Sequence, residues 1–383
     1  MPAFDVLIAG VGQIPVREYW ERPLRSLAVQ AMRLALADSG GLVPQAVYAG
    51  NFLASTVSHQ SNLGALLVDY AHLDGIEGFT CEAAGASGAA ALHMGVMAIR
   101  SGFVNCALVV GVEKFTDLVG SGLEEAVSQS LDFDYESSIG LTAAGQAALV
   151  MQRYLRQYNL PADALAGFPL LAHANGAGNP NAMYRKAIRP ETYARAESIS
   201  DPLNLFDMAP YGDGAAAVLL VRGGLLPTMP NHPLVSVRGC SLVTDALALH
   251  DRTDPQAFEA ARLSVQRACD QARVNLDQID LVEPCDSFSI YAALGLEAAG
   301  LAPRGEGWRL PQEKRLPMLT MGGMKARGNP LGAAGVYQVV EAALQLRGEA
   351  GACQVNDARR ALVQTFGGPA STAGAAILER VEG

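Results

Sequence analysis

The chain has 383 residues, 50% of them hydrophobic and 17% charged, which is enough for a large core and too much for a small binding module. Its 28 Lys and Arg against 38 Asp and Glu give a net charge of −10 with no basic stripe, which argues against nucleic acid or an anionic membrane as partner. No apolar run reaches the roughly 18–20 residues of a membrane span, and "MPAFDVLIAG" enters a strand without a basic flank or cleavage site, so a soluble, cytoplasmic protein is expected.

In chain order, strand-like runs "FDVLIAGV", "AVYAGNFL", "CALVVGVE" and "GAAAVLLVR" alternate with helical patterns such as "LRSLAVQAMRLALADSG". That alternation predicts an α/β fold with largely buried strands. Between Phe115 and Ser200 the chain reads as a polar, loop-rich insert covering a site. "RGGLLPTMPNHPLV", with Pro227, Pro230 and Pro233, is the expected joint between two halves. The pattern then restarts with "HPLVSVRGCSLV", the helix "AFEAARLSVQRACDQARV", "IDLVEPCDSF", the helix "AGVYQVVEAALQLRG", "ARRALVQTFGG" and "TAGAAILERV". A helix, short connection and strand at "LAVQAMRLALADSGGLVPQAVYAGNF" parallel those at "ARLSVQRACDQARVNLDQIDLVEPCDSF", so the halves read as a repeat.

The six cysteines, Cys81, Cys106, Cys240, Cys269, Cys285 and Cys353, are scattered without a CxxC pair, and neither a disulfide framework nor a metal site is suggested. In "TCEAAGASGAAALHMGVMAIRSGFVNCALVVGVEKF" a strand turns through small residues into a helix whose Leu92, Val96 and Ile99 share one face. Small residues at such a turn place backbone N–H groups at the positive end of a helix, a seat suited to an anion or a thiolate.

The chain resembles the thiolases, in the branch that includes sterol carrier protein x and archaeal-type acetyl-CoA acetyltransferases. The resemblance rests on "AAGASGAAALHMG", "HANGAGNPNA", "SISDPLNLFDMAPYGDGAAAVLL", "EPCDSFSIYAALGLEAAGL", "GGMKARGNPLGAAGVYQVVEAALQLRG" and "ALVQTFGGPAST", in that order across nearly the whole chain. It implies a five-layered αβαβα body of two similar βαβαβαββ halves: an N-terminal one at 1–225 carrying an inserted loop lobe at about 116–200, and a C-terminal one at 233–383. It also implies acyl-CoA substrates, coenzyme A entering only as part of the substrate with no permanently bound cofactor, and a homodimer or dimer of dimers.

The family's nucleophile sits in a Cys-Ala-Ser-Gly turn that matches Gly85, Ala86, Ser87 and Gly88, so glycine stands in the cysteine's place. Its catalytic histidine in Gly-His-Pro-Leu-Gly-Ala matches Asn329, which cannot take a thiol proton. The third element, Asn-Glu-Ala-Phe or His-Asp-Ala-Phe, is here Cys285, Asp286, Ser287 and Phe288, and the C-terminal Cys-x-Gly is Thr365, Phe366 and Gly367. Backbone N–H groups around Gly85 and Gly367 are expected to form an oxyanion pocket, Cys285 and Asn329 to move or orient a proton, and Ser87, His173 and Thr365 to contact substrate. Asp213 and Gly214 read as the turn before a core strand, Glu113 and Lys114 as a scaffold or interface feature, and Tyr337 as packing.

Three functions stay open. One is non-covalent carbon–carbon chemistry on acyl-CoA thioesters, as in thiolase-like aldolases that also carry glycine at the nucleophile position, place tyrosine where Cys285 stands, and work with an OB-fold zinc-ribbon partner. The second is a catalytically silent acyl-CoA-binding subunit, and the third a true thiolase using Cys81 or Cys285.

Overall fold

The computed structural model describes residues 5–225 and 232–381, so Pro227 and Pro230 of the expected joint lie outside the described residues. The first half runs β1 (Val6–Gln13), α1 (Leu24–Asp38), β2 (Ala46–Gly50), α2 (Leu63–Tyr70), β3 (Glu77–Cys81), α3 (Ser87–Ser101) and β4 (Cys106–Glu113). An insert follows with α4 (Ser121–Ser128), α5 (Ala143–Gln157), α6 (Gly167–Gly176), α7 (Pro190–Ala194) and a small hairpin of β5 (Ser198–Ser200) and β6 (Leu203–Asn204), before β7 (Gly214–Arg222). The second half runs β8 (Val235–Thr244), α8 (Glu259–Ala272), β9 (Leu281–Glu283), α9 (Ser289–Ala298), α10 (Leu310–Glu313), α11 (Gly323–Arg327), α12 (Ala334–Arg347), β10 (Arg360–Gly367) and β11 (Thr372–Arg380).

The insert is a lobe of loops and turns that carries the four helices α4 to α7. Its polar, glycine-rich ends conceal a 3.6-residue period, in which α5 buries Ala144, Ala147, Ala148, Met151, Tyr154 and Leu155 on one face. Thr142 caps that helix, its hydroxyl accepting the N–H of Gly145 at 3.0 Å.

Among the described residues nine strands form one mixed sheet in the order β3-β2-β4-β7-β1-β8-β11-β10-β9. Read outward from the β1/β8 junction, each half places its first strand, its last, its next-to-last and its second, and β3 has no counterpart. The junction is short, with Leu7 opposite Ser236 and Ile8 opposite Val235. Both α3 and α12 touch strands of both halves, α1 and α2 cover the outer face of the first half, and α8 covers that of the second. Three hydrophobic clusters fill the spaces between these layers, which makes the body α, β, α, β, α.

The two central helices meet at their N-terminal ends with no side chain between them. A Cβ on Gly88 would lie 2.9 Å from the backbone N of Val336, and one on Gly335 would lie 2.9 Å from that of Ala89. This reciprocal contact brings the turn before α3 and the turn before α12 to one place, near the C-terminal ends of β2, β9 and β10, where open α/β sheets form their crevices.

Candidate active site

At that meeting point lies a cavity of about 60 Å³ whose walls include Gly85, Cys285, Asn329, Tyr211, Tyr291 and Phe366. The structure therefore gathers three of the four residues expected to be catalytic, and Phe366 and Gly368 stand at the wall beside the fourth, Gly367. Gly85 lies in a one-turn helix, Ala84–Ala86, and a Cβ there would sit 2.6 Å from the carbonyl oxygen of Phe366. A Cβ on Gly367 would sit 2.6 Å from the carbonyl of Ala83, so the two loops pack backbone on backbone. The position of Gly85 is closed to any side chain unless the 366–367 backbone withdraws.

Ser87 is fully buried and its hydroxyl is spent locally, accepting from the N–H of Ala83 at 2.9 Å and donating to the carbonyl of Ala84 at 2.6 Å. It staples the turn and does not line the cavity. Thr365 points into the layer below, donating to Oε1 of Gln338 at 2.8 Å. Cys81 ends β3 and packs against the central hydrophobic cluster, away from the cavity wall. Burial pushes its thiol up to about 11.

Cys285 does reach the cavity. Burial raises its thiol to about 11 against the lowering effect of the Ser287 and Phe366 N–H groups, so it is a protonated thiol at neutral pH. Asn329 is set by its own backbone, its N–H donating to Pro210 at 2.8 Å and its Oδ1 accepting from Leu331 at 3.1 Å. That arrangement leaves Nδ2 without a protein partner among the described residues. Glu113 secures the loops around the cavity by accepting from the N–H groups of Phe52 and Gly332, each at 3.0 Å, and Leu53 at 3.1 Å. Asp213 ties the segments at Tyr19 and at Phe115 and Thr116 together by accepting from their N–H groups, and Tyr337 donates to the carbonyl of Ile14 at 2.7 Å.

A second cavity, of about 560 Å³, adjoins the first and shares Met208 and Ala209 with it. His173, Tyr184, Arg185, Lys186, Phe206 and Lys325 are among its walls. His173 lies in α6 and not in a loop, because "FPLLAHANG" continues a helix that the motif's asparagines and glycines obscure. Burial lowers its pKa, so the ring is neutral, and its Nδ1 has no hydrogen-bond partner. Lys325 is 1% exposed, donates to the carbonyl of Asp207 at 2.8 Å, and is pushed down to about 8 by burial against the opposing pull of Asp286 and Asp207.

Tyr211, Tyr291 and Lys325 were not singled out from the sequence. Tyr211 stands directly before the Gly212-Asp213-Gly214 turn and Lys325 four residues before Asn329, so proximity to motif residues was the signal available. Glycine, thiol, amide and phenol around one cavity supply hydrogen bonds and neutral proton carriers, without an ionised nucleophile.

Family models match residues 16–224 as the thiolase N-terminal domain and 241–380 as the thiolase C-terminal domain-like unit. The chain is 34% identical over 384 residues to an acetyl-CoA acetyltransferase of Methanothermobacter thermautotrophicus, covering 98% of this chain and 100% of that one. Sterol carrier protein 2 of Homo sapiens is 25% identical over 301 residues, 74% of this chain and 55% of that one. Among solved structures, the Ltp2-ChsH2(DUF35) aldolase superposes with a TM-score of 0.85 at 21% identity, covering 99% of each chain. The Acat5 thiolase from Ascaris suum in complex with coenzyme A gives 0.71 at 16% identity, covering 98% of this chain and 100% of that one. These structural likenesses are of fold, and with the family matches along the chain they place the protein in the thiolase superfamily.

Proposed function

We propose that the protein makes or breaks a carbon–carbon bond in acyl-CoA thioesters without a covalent acyl-enzyme, in the manner of an aldolase. The observation that carries this reading is the closed seat at Gly85, where a Cβ would meet the Phe366 carbonyl at 2.6 Å. An acyl-cysteine cannot form there, while the small cavity keeps neutral donors that can stabilise an enolate. The larger cavity, with Arg185, Lys186 and apolar Phe206, Leu205 and Ile188, accepts the coenzyme A arm and the bulk of the acyl group. Coenzyme A takes part only as part of the substrate. The likeness to the Ltp2-ChsH2(DUF35) aldolase supports a partner of DUF35 type, in keeping with the OB-fold zinc-ribbon protein that the family resemblance implies. We take the protein itself to work as a homodimer or dimer of dimers in the cytoplasm.

A second reading, a true thiolase, is favoured by one observation: Cys285 lines the cavity. Purified protein incubated with acetyl-CoA and acetoacetyl-CoA, followed by intact mass and a thiolysis assay, separates the two. The aldolase-like reading expects no acyl adduct, no thiolysis, and cleavage of 3-hydroxy-3-methylbutyryl-CoA to acetyl-CoA and acetone. An acetyl adduct mapping to Cys285 or Cys81 would replace it with the thiolase reading, and binding without adduct or turnover would leave a silent acyl-CoA-binding subunit.

A further inference from the structure

The small cavity has more polar side chains than free ones. Gln146 spends Nε2 on Glu136 at 3.0 Å, Ser130 donates to the carbonyl of Val127 at 2.9 Å, and Ser287 lies 3.8 Å from the sulfur of Cys285. The hydroxyls of Tyr211 and Tyr291 and Nδ2 of Asn329 are without protein partners among the described residues. Tyr211 is tied to Asn329 through an isolated parallel bridge, in which Asn329 N–H donates to Pro210 at 2.8 Å and Gly212 N–H donates to Asn329 at 3.3 Å. Bridge partners set their side chains side by side, and both of these line the cavity. The ring of Phe115 meets that of Tyr211 edge-on at 5.9 Å, which fixes the phenol without using its hydroxyl.

Resting on the aldolase-like reading, we propose that the Tyr211 hydroxyl touches the reacting carbons and carries the proton between them. In cleavage of a 3-hydroxyacyl-CoA the electron pair of the C2–C3 bond passes to C2, and the pair of the O3–H bond becomes the second C3–O bond of the ketone or aldehyde. The proton leaving O3 ends on C2, so one proton is relocated and no oxidant, reductant or further reactant is consumed. A phenol that accepts from O3 while donating to C2 performs that relocation and finishes as it began. Burial pushes the Tyr211 pKa upward, which keeps the hydroxyl intact between turnovers. Nδ2 of Asn329, beside it, is the free donor for the thioester oxygen as enolate charge develops.

Cys285 is a weaker choice because its sulfur already faces the N–H groups of Ser287 and Phe366. Tyr291 is held among the rings of Phe258 at 5.7 Å and Phe288 at 5.1 Å, and belongs to α9 and not to the Asn329 bridge.

The test is the isosteric variant Tyr211→Phe, assayed on 3-hydroxy-3-methylbutyryl-CoA and on deuterium uptake at C2 of propionyl-CoA in heavy water with acetone present, whose carbonyl oxygen takes the proton that leaves C2. Both rates are expected to fall by about 10²-fold or more, with acetyl-CoA affinity by calorimetry and thermal midpoint unchanged. Tyr291→Phe, run alongside, is expected to lose much less. A Tyr211→Phe protein with wild-type rates, one that loses acetyl-CoA binding in proportion to rate, or a loss that follows Tyr291→Phe instead would each overturn the assignment while leaving the aldolase-like reading intact. A wild-type protein that neither cleaves nor exchanges would overturn both, and is recognised because the unmodified chain itself fails.

Discussion

The two adjoining cavities are built on opposite principles. The one at the helix ends, about 60 Å³, is walled by backbone, a thiol, an amide and two phenols, while its neighbour, about 560 Å³, has Arg185, Lys186 and Lys325 in its walls. Charge has been kept where a large polyanionic substrate would be held and is missing from the walls where bonds would change. A site of the first kind lowers barriers with oriented dipoles and neutral proton carriers, and one of the second kind sets affinity. The comparison fails if the small cavity proves to contain a reactive anion.

The most sensitive place to break it is Cys285. With its thiol raised to about 11 by burial, its thiolate population near neutral pH is about 10²-fold below that of an ordinary cysteine. Iodoacetamide labelling followed by peptide mapping is expected to find Cys285 slower than a free thiol by that factor at pH 7.5, accelerating steadily as pH rises toward 11. The sign follows from the direction of the shift: a raised thiol pKa delays the reactive form to higher pH. Labelling of Cys285 at the rate of a free thiol would put an anion in the small cavity and restore the acyl-enzyme mechanism.

Gly85 offers the converse experiment. Gly85→Cys puts a thiol where the sequence motif leads one to expect the family nucleophile, and its Cβ meets the Phe366 carbonyl at 2.6 Å. Overpacking against a backbone atom costs about 1–3 kcal/mol, measurable as a lower denaturation midpoint by urea titration with the slope unchanged. No acetyl adduct is expected at the introduced thiol, since Asn329 cannot remove its proton. An unchanged midpoint with acetylation on exposure to acetyl-CoA would show that the 366–367 backbone yields easily.

How much of this was legible in the sequence differs by region for physical reasons. The repeat, the strand alternation and the turn at Gly85 were legible because buried strands and small-residue turns leave local patterns, and the α3 face of Leu92, Val96 and Ile99 is buried as its spacing required. The α5 period was present but hidden between polar, glycine-rich flanks. Ser87 and Thr365 could be placed in motifs, yet whether each hydroxyl faces the cavity or its own backbone depends on a turn of one residue, which no motif states. Tyr211 became visible only through its bridge to Asn329, a contact between positions separated by the whole of β7 through α11. The closed seat at Gly85 is likewise a meeting of two distant loops, 83–85 and 366–367.

The smallest expected effect sharpens the other half of the comparison. Arg185 and Lys186 are exposed at the mouth of the larger cavity, so each charge is screened by solvent and contributes only about 0.2–1 kcal/mol to holding a phosphate-bearing ligand. Arg185→Ala combined with Lys186→Ala is expected to weaken acetyl-CoA binding several-fold by calorimetry, with the difference shrinking as ionic strength rises. Turnover at saturating substrate should be unchanged, because neither residue lines the small cavity. A fall in kcat with affinity intact would mean that the charges act on the reacting end, and the division between a charged binding cavity and an uncharged reacting one would have to be abandoned.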